Sequence, residues 1–165
     1  MTTSEIANVA EWFSDQISAI NDSILEIFCD DPRMVNREGA YACIADLDGT
    51  SLCTRMVGTD LRGKRQKHKE LCEEKARRLA LLYPYTKHKL SRESEEDLIE
   101  RYRGAVKCGD YIIAVSGYPG DIDEIMSAQA GLSLKLISFR EFKKLVKKNP
   151  FCDLVLSTLS DVPSD

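Results

Sequence analysis

The chain reads as an α+β domain, a β-sheet with helices packed on it, and three observations predict this. Apolar residues recur every three or four positions over 2–29. Two strand-like stretches, 40–45 and 52–57, flank an Asp48-Gly49 turn. A second turn, Gly109-Asp110, leads into the apolar run 111–115, which a sharp corner joins to another helix. Helical and strand periods alternating within one short chain imply a sheet whose apolar face is covered by amphipathic helices.

The first helix is carried by Ile6, Val9, Trp12, Phe13, Ile17, Ile20, Ile24, Ile27 and Phe28, one wide apolar stripe suited to covering a sheet. Thr2 with Glu5 three residues on has the capping-box pattern, and Asp30-Asp31-Pro32 marks the end, because the residue before proline disfavours helix. Asp48-Gly49 is a strong two-residue turn signal, so 40–45 and 52–57 should form a hairpin. Asp46 and Asp48 also resemble the opening of a calcium loop, but no bidentate Glu follows at the required distance and the turn reading is preferred.

The stretch 61–83 begins with Arg62, Lys64, Arg65, Lys67, His68 and Lys69 and continues as a helix with Leu71, Cys72, Ala76 and Leu79 on its apolar side, ended by Pro84. The basic start reads as a solvated face, with an anionic ligand such as a propionate or phosphate as the alternative. A charged peripheral helix is predicted over 91–103, followed by a hairpin through Gly109-Asp110. Tyr111-Ile112-Ile113-Ala114-Val115 is rich in β-branched residues and reads as a strand buried on both faces. Ser116-Gly117-Tyr118-Pro119-Gly120 then turns into a helix carrying Ile125, Met126 and Leu132, with Asp121 as its expected cap. The corner is either a structural turn closed by Ser116 and Asp121 or an anion contact at free helix N–H groups. Beyond it, 134–137 is predicted as a strand, Ser138 to Glu141 as a capping box opening a further helix, 151–156 as an edge strand and 157–165 as a polar tail.

With 165 residues, a net charge of −4 and 30% charged residues, the chain has the composition of a soluble globular protein with one core. There is no global basic surface to favour nucleic acid, no apolar run of the ~20 residues that span a bilayer, and no basic leader, so a cytoplasmic location is expected. The six cysteines show no CxxC pair and are expected to be separate thiols. His68 and His88 fall in charged segments and are expected to be solvated, so neither is paired with a cysteine.

Three blocks, in this order, carry a resemblance: IADLDGTSLCTRMVGT over 44–59, Glu74-Lys75-Ala76 with its following apolar turns, and IIAVSGYPGDIDEIMSAQAGL over 112–132. The chain resembles the GlcG/HbpS family of haem-binding and haem-degrading proteins and the C-terminal domain of PduO-type corrinoid adenosyltransferases. The resemblance covers about 5–132 and implies one GlcG/HbpS-like domain over 1–165, a profilin-like antiparallel β-sheet with packed helices, with 133–165 as an extension. It also implies haem or another tetrapyrrole as ligand. The family's Gly-Gly-x-Pro segment is replaced here by Tyr102-Arg103-Gly104-Ala105-Val106, and neither histidine matches an axial ligand.

The leading functional expectation is therefore a non-catalytic binder of a small molecule, with Arg55, Lys75, Ser116, Gly117, Asp123 and Glu124 as candidate ligand-binding residues and no metal site. Arg55 and Lys75 would meet ligand carboxylates, and Ser116-Gly117 the ligand at the corner. Lys75, facing the sheet, needs a partner in Asp123, Glu124 or the ligand, because a desolvated ammonium costs several kcal/mol unpaired. The alternatives are a protein-interaction or self-assembling module, with a homo-oligomer expected, and, more weakly, an enzyme using Asp46, Asp48, Asp121, Asp123 and Glu124.

Overall fold

The computed structural model describes residues 3–59, 63–94 and 103–159. It has an α+β fold in three layers. Helix α1 (Thr3–Ile27) is followed by a short 3-10 turn (Pro32–Met34) and a hairpin of β1 (Gly39–Asp46) and β2 (Ser51–Gly58). Then come α2 (Arg65–Thr86), a 3-10 turn (Ser91–Ser94), a second hairpin of β3 (Ala105–Cys108) and β4 (Tyr111–Ser116), and helices α3 (Gly120–Ser133), α4 (Phe139–Val146) and α5 (Cys152–Thr158). The sheet is antiparallel throughout with order β2-β1-β4-β3, so the two hairpins join edge to edge through β1 and β4, Tyr41 opposite Ser116 and Asp46 opposite Tyr111. This architecture is compatible with a profilin-like α+β fold.

Strand side chains alternate between the faces, and the alternation divides the core in two. Ala40, Ala42 and Ile44 of β1, Ile113 and Val115 of β4 and Val106 of β3 face α1 and α3, where Phe13, Ile17, Ile24, Phe28, Ile122 and Ile125 cover them. Cys43 and Ala45, Ile112 and Ala114, and Ala105 face α2, which meets them with Cys72, Ala76, Leu79 and Ala80. Because β1 and β4 are inner strands covered on both sides, their sequences are continuous apolar runs without polar alternation.

Both hairpins form where their turn residues place them. Asp46 Oδ1 accepts the N–H groups of Asp48 (3.0 Å) and Thr50 (2.9 Å), so this carboxylate closes the turn. Among the described residues no group of three or more His, Cys, Asp and Glu side chains is placed to hold a metal ion.

Three local expectations are corrected, and a fourth lies mostly outside the described residues. Residues 134–137 are not a strand: the N–H groups of Leu134, Lys135, Leu136 and Ile137 turn back onto Ala130, Leu132 and Gly131 and close the end of α3, leaving none for a ladder. Residues 151–156 belong largely to α5, whose partly buried Phe151, Cys152 and Leu156 and buried Val155 repeat at helical spacing. Pro84 does not end α2 but sits inside its last turn, and the chain leaves the helix at Lys87 in the left-handed conformation. Of the helix predicted over 91–103, the described part is the 3-10 turn Ser91–Ser94, and residues 95–102 lie outside the described residues, as do Thr2 of the N-terminal capping pattern and 160–165 of the tail.

The capping box at Ser138 and Glu141 is present in both directions. Through Ile137, Phe142, Leu145, Val146 and Val155, the segment expected as an extension packs into the α1/α3 side of the core.

Candidate functional site

The site grows out of the corner after β4. Gly117 lies against the start of β1 so closely that a Cβ there would come within 2.6 Å of Ala40 Cα and Gly39 O. That contact forces the chain to turn away, through Tyr118 and Pro119, into α3. The expected cap is not the one used. Pro119 is the N-cap residue without a side-chain bond, Asp121 pairs with Arg33 (3.2 Å), and the turn is closed by Asp123, whose Oδ1 accepts the Tyr118 N–H (3.0 Å). Tyr118 in turn donates its hydroxyl proton to Asn21 Oδ1 of α1 (2.6 Å).

Lys75 of α2 reaches the same corner from the opposite face of the sheet. Its Nζ donates to Asp123 Oδ2 (3.0 Å) and to Val115 O (2.7 Å), with Lys75 1% and Asp123 2% exposed. The partner that this lysine required is therefore Asp123. Burial outweighs the attraction of Lys75 for the carboxylate and raises Asp123 to about 6, against the lowering by Lys75, the Tyr118 N–H and Arg37. Gly104 makes the pair possible: at φ +122° it passes beside it, and a Cβ would lie 2.7 Å from Asp123 Cβ and 2.9 Å from Lys75 Nζ.

Above the pair opens a cavity of about 540 Å³, walled by the first turns of α2, by the corner 116–120 and by the loop after the first 3-10 turn. Arg33, Arg37, Lys64, Lys67 and His68 line it. Arg33 is held by Asp31 (2.8 Å) and Asp121, whereas among the described residues no carboxylate pairs with Arg37, Lys64 or Lys67. Arg37 Nη1 donates to Gly117 O (2.8 Å). Helix α2 begins at Lys64 with no side-chain cap and no acidic residue in its first turn, so cations crowd the positive end of its dipole, the electrostatically unfavourable arrangement.

His68 is half-buried rather than solvated, and its Nδ1 lies 3.3 Å from Ser116 Oγ. Burial, with the charges of Lys75, Arg37, Lys64 and Lys67, lowers its proton affinity below the usual imidazole value.

The structure thus brings Lys75, Ser116, Gly117 and Asp123 together in one cavity wall. Arg55 is not there. It is exposed on β2 and its Nε donates to Ser14 Oγ of α1 (3.0 Å). Glu124 points away, buried against Asn149 Nδ2 (3.2 Å) in the loop between α4 and α5. The carboxylates of the enzyme alternative do not converge, since Asp46 closes a turn, Asp121 meets Arg33, Asp123 meets Lys75 and Glu124 meets Asn149. Arg37 and His68 were missed. The basic run 62–69 was the available signal for His68, whereas Arg37 stands in a polar linker with nothing local to mark it.

No family model, curated protein or solved structure matches this chain. The likeness to the GlcG/HbpS family rests on its three residue blocks. Haem, the cofactor that likeness implies, needs apolar contact on both faces of a wide macrocycle. The cavity offers Val35, Leu71, Tyr118 and Pro119 for that purpose among six basic side chains. These residues fit the carboxylate end of such a ligand and not its ring.

Proposed function

We propose that the protein binds a small, multiply charged anion in the cleft between the start of α2 and the corner before α3. The observation that carries this reading is the set of Arg37, Lys64 and Lys67 around one cavity, none of them in a salt bridge among the described residues. Cations at the rim of a low-dielectric concavity focus positive potential into it and raise the local concentration of anions. An anion there would also relieve the uncapped, cation-crowded start of α2. Arg33, already held by two carboxylates, and the Lys75–Asp123 pair add little net charge and serve as walls.

Calorimetric titration with pyrophosphate, citrate and haemin at low ionic strength tests this. Pyrophosphate or citrate should saturate at one site, weaken with added salt, and bind at least tenfold more weakly to Lys64→Ala/Lys67→Ala. Absence of saturable binding by all three, or binding indifferent to those two lysines, removes the reading.

A further inference from the structure

The geometry points to a chemical role for the same cleft: Ser116 acts as a nucleophile and His68 as its base, on a carboxylic ester that carries an anionic group. The inference rests on the cleft binding anions and adds a reaction to that binding. Its starting point is the 3.3 Å separation of Ser116 Oγ and His68 Nδ1 at the cavity wall, the adjacency a serine nucleophile requires and of a length common in the absence of substrate.

Ser116 is also unusually well fixed for a residue at the end of a strand. The carbonyl before it, Val115 O, receives Lys75 Nζ at 2.7 Å, and the carbonyl after it, Gly117 O, receives Arg37 Nη1 at 2.8 Å. Gly117 itself is pressed on the backbone of Gly39 and Ala40. The hydroxyl therefore stands on a rigid support, and Arg37, which makes no salt bridge among the described residues, favours negative charge developing on a substrate carbonyl oxygen.

The same charges decide which ester is taken. With Lys75, Arg37, Lys64 and Lys67 around it, His68 is unprotonated at neutral pH and free to accept a proton, but the imidazolium formed in the reaction is disfavoured by those cations. No carboxylate among the described residues bonds this imidazole to offset them. An anionic substituent of the substrate, seated on Arg37, Lys64 and Lys67, supplies the opposing charge, so an anionic ester reacts faster than a neutral one. In the step itself the Oγ–acyl bond forms and the bond from the acyl carbon to the alcohol oxygen breaks. The Oγ proton passes to Nδ1 and then to the departing alkoxide. Water, deprotonated by the same imidazole, cleaves the acyl-serine, releasing a carboxylic acid and restoring the hydroxyl.

The test compares p-nitrophenyl hemisuccinate with p-nitrophenyl acetate on the full chain, on Ser116→Ala and on His68→Gln. The unmodified chain is also treated with a fluorophosphonate and analysed by peptide mass spectrometry, and pyrophosphate calorimetry is run on it in parallel. The expected result is hydrolysis of the hemisuccinate about 100-fold or more above both variants, at least tenfold preference over the acetate, and a single adduct on Ser116. Should Ser116→Ala fail to fold, the site of the adduct on the unmodified chain decides. Pyrophosphate binding with no Ser116 adduct and no turnover above the variants overturns the nucleophile assignment and leaves the anion reading standing. Absence of both binding and turnover removes the two together.

Discussion

The two faces of the sheet are built to different specifications. The face toward α1 and α3 is thick, filled by Phe13, Ile17, Ile24, Phe28, Ile113 and Val115 with α4 and α5 beneath. The face toward α2 is thin. Apart from Ile112 and Leu79, its contacts are Cys43, Ala45, Ala105 and Ala114 against Cys72, Ala76 and Ala80, small side chains that allow the helix close to the strands. From this thin face Lys75 reaches Asp123 of α3, and at its end the cleft opens. The bulk of the apolar burial thus lies on one side, and Lys75 with the cleft on the other. The two should respond differently to mutation.

The largest effect is expected on the thick face. Phe13→Ala removes a fully buried ring and should cost about 3–5 kcal/mol in denaturant unfolding. Pyrophosphate affinity of the molecules that remain folded should not change. Next comes Lys75→Met on the thin face, which leaves Asp123 buried without its cation. A loss of about 3 kcal/mol at pH 7 is expected, the lower end for a broken buried pair because Asp123 can take up a proton. Lys75→Met/Asp123→Asn removes both charges while keeping an acceptor for the Tyr118 N–H, and chemical denaturation should show most of the loss recovered. Equal losses in the single and double variants would mean that the pair contributes packing rather than charge.

Gly104→Ala should cost about 1–3 kcal/mol, since the residue is held at φ +122° beside the pair and its Cβ would press on Asp123 and Lys75. A thermal melt unchanged from the parent would show that β3 can shift away.

The pair also leaves a mark on pH dependence. Asp123 titrates at about 6 in the folded chain against a reference value of 3.8. Between those values the folded state binds more protons than the unfolded one, so this group's contribution falls as pH rises from about 4 to 6. Denaturation midpoints should therefore rise for Asp123→Asn relative to the parent across that window. A difference independent of pH would place the folded value near the reference instead.

The smallest expected effect is spectroscopic. The His68 ring, followed by NMR, should titrate below 6.5 in the free protein and shift upward when pyrophosphate is added, because an anion cancels part of the field of Arg37, Lys64 and Lys67.

The contrast between faces also explains what the sequence revealed. The hairpins, α1, α2 and α3 were legible because their signals are local: a turn dipeptide, a stripe at helical spacing, a β-branched run. Lys75 was legible as a buried cation in need of a carboxylate, since its place one turn from Leu71 and Leu79 put it toward the sheet. The errors arose where two periods coincide over few residues. Leu134, Leu136 and Ile137 alternate over four positions as a strand would, yet they close a helix, and Phe151, Cys152, Val155 and Leu156 fit a helix once the span is extended to Thr158. Arg37 was invisible for a different reason. Its role comes from Gly117, eighty positions away in sequence, and no pattern within a linker encodes such a neighbour.

The strand order has a kinetic consequence. Each hairpin closes locally, but the cleft exists only once β1 has paired with β4, which joins residues such as Tyr41 and Ser116 across about 75 positions of chain, a slow closure relative to forming either hairpin. Lys75, Arg37 and His68 come from the first part of the chain, and Ser116 and Asp123 from the second. Pyrophosphate added during refolding therefore has little to hold until that late docking is complete. It should slow unfolding and leave the rate of refolding nearly untouched.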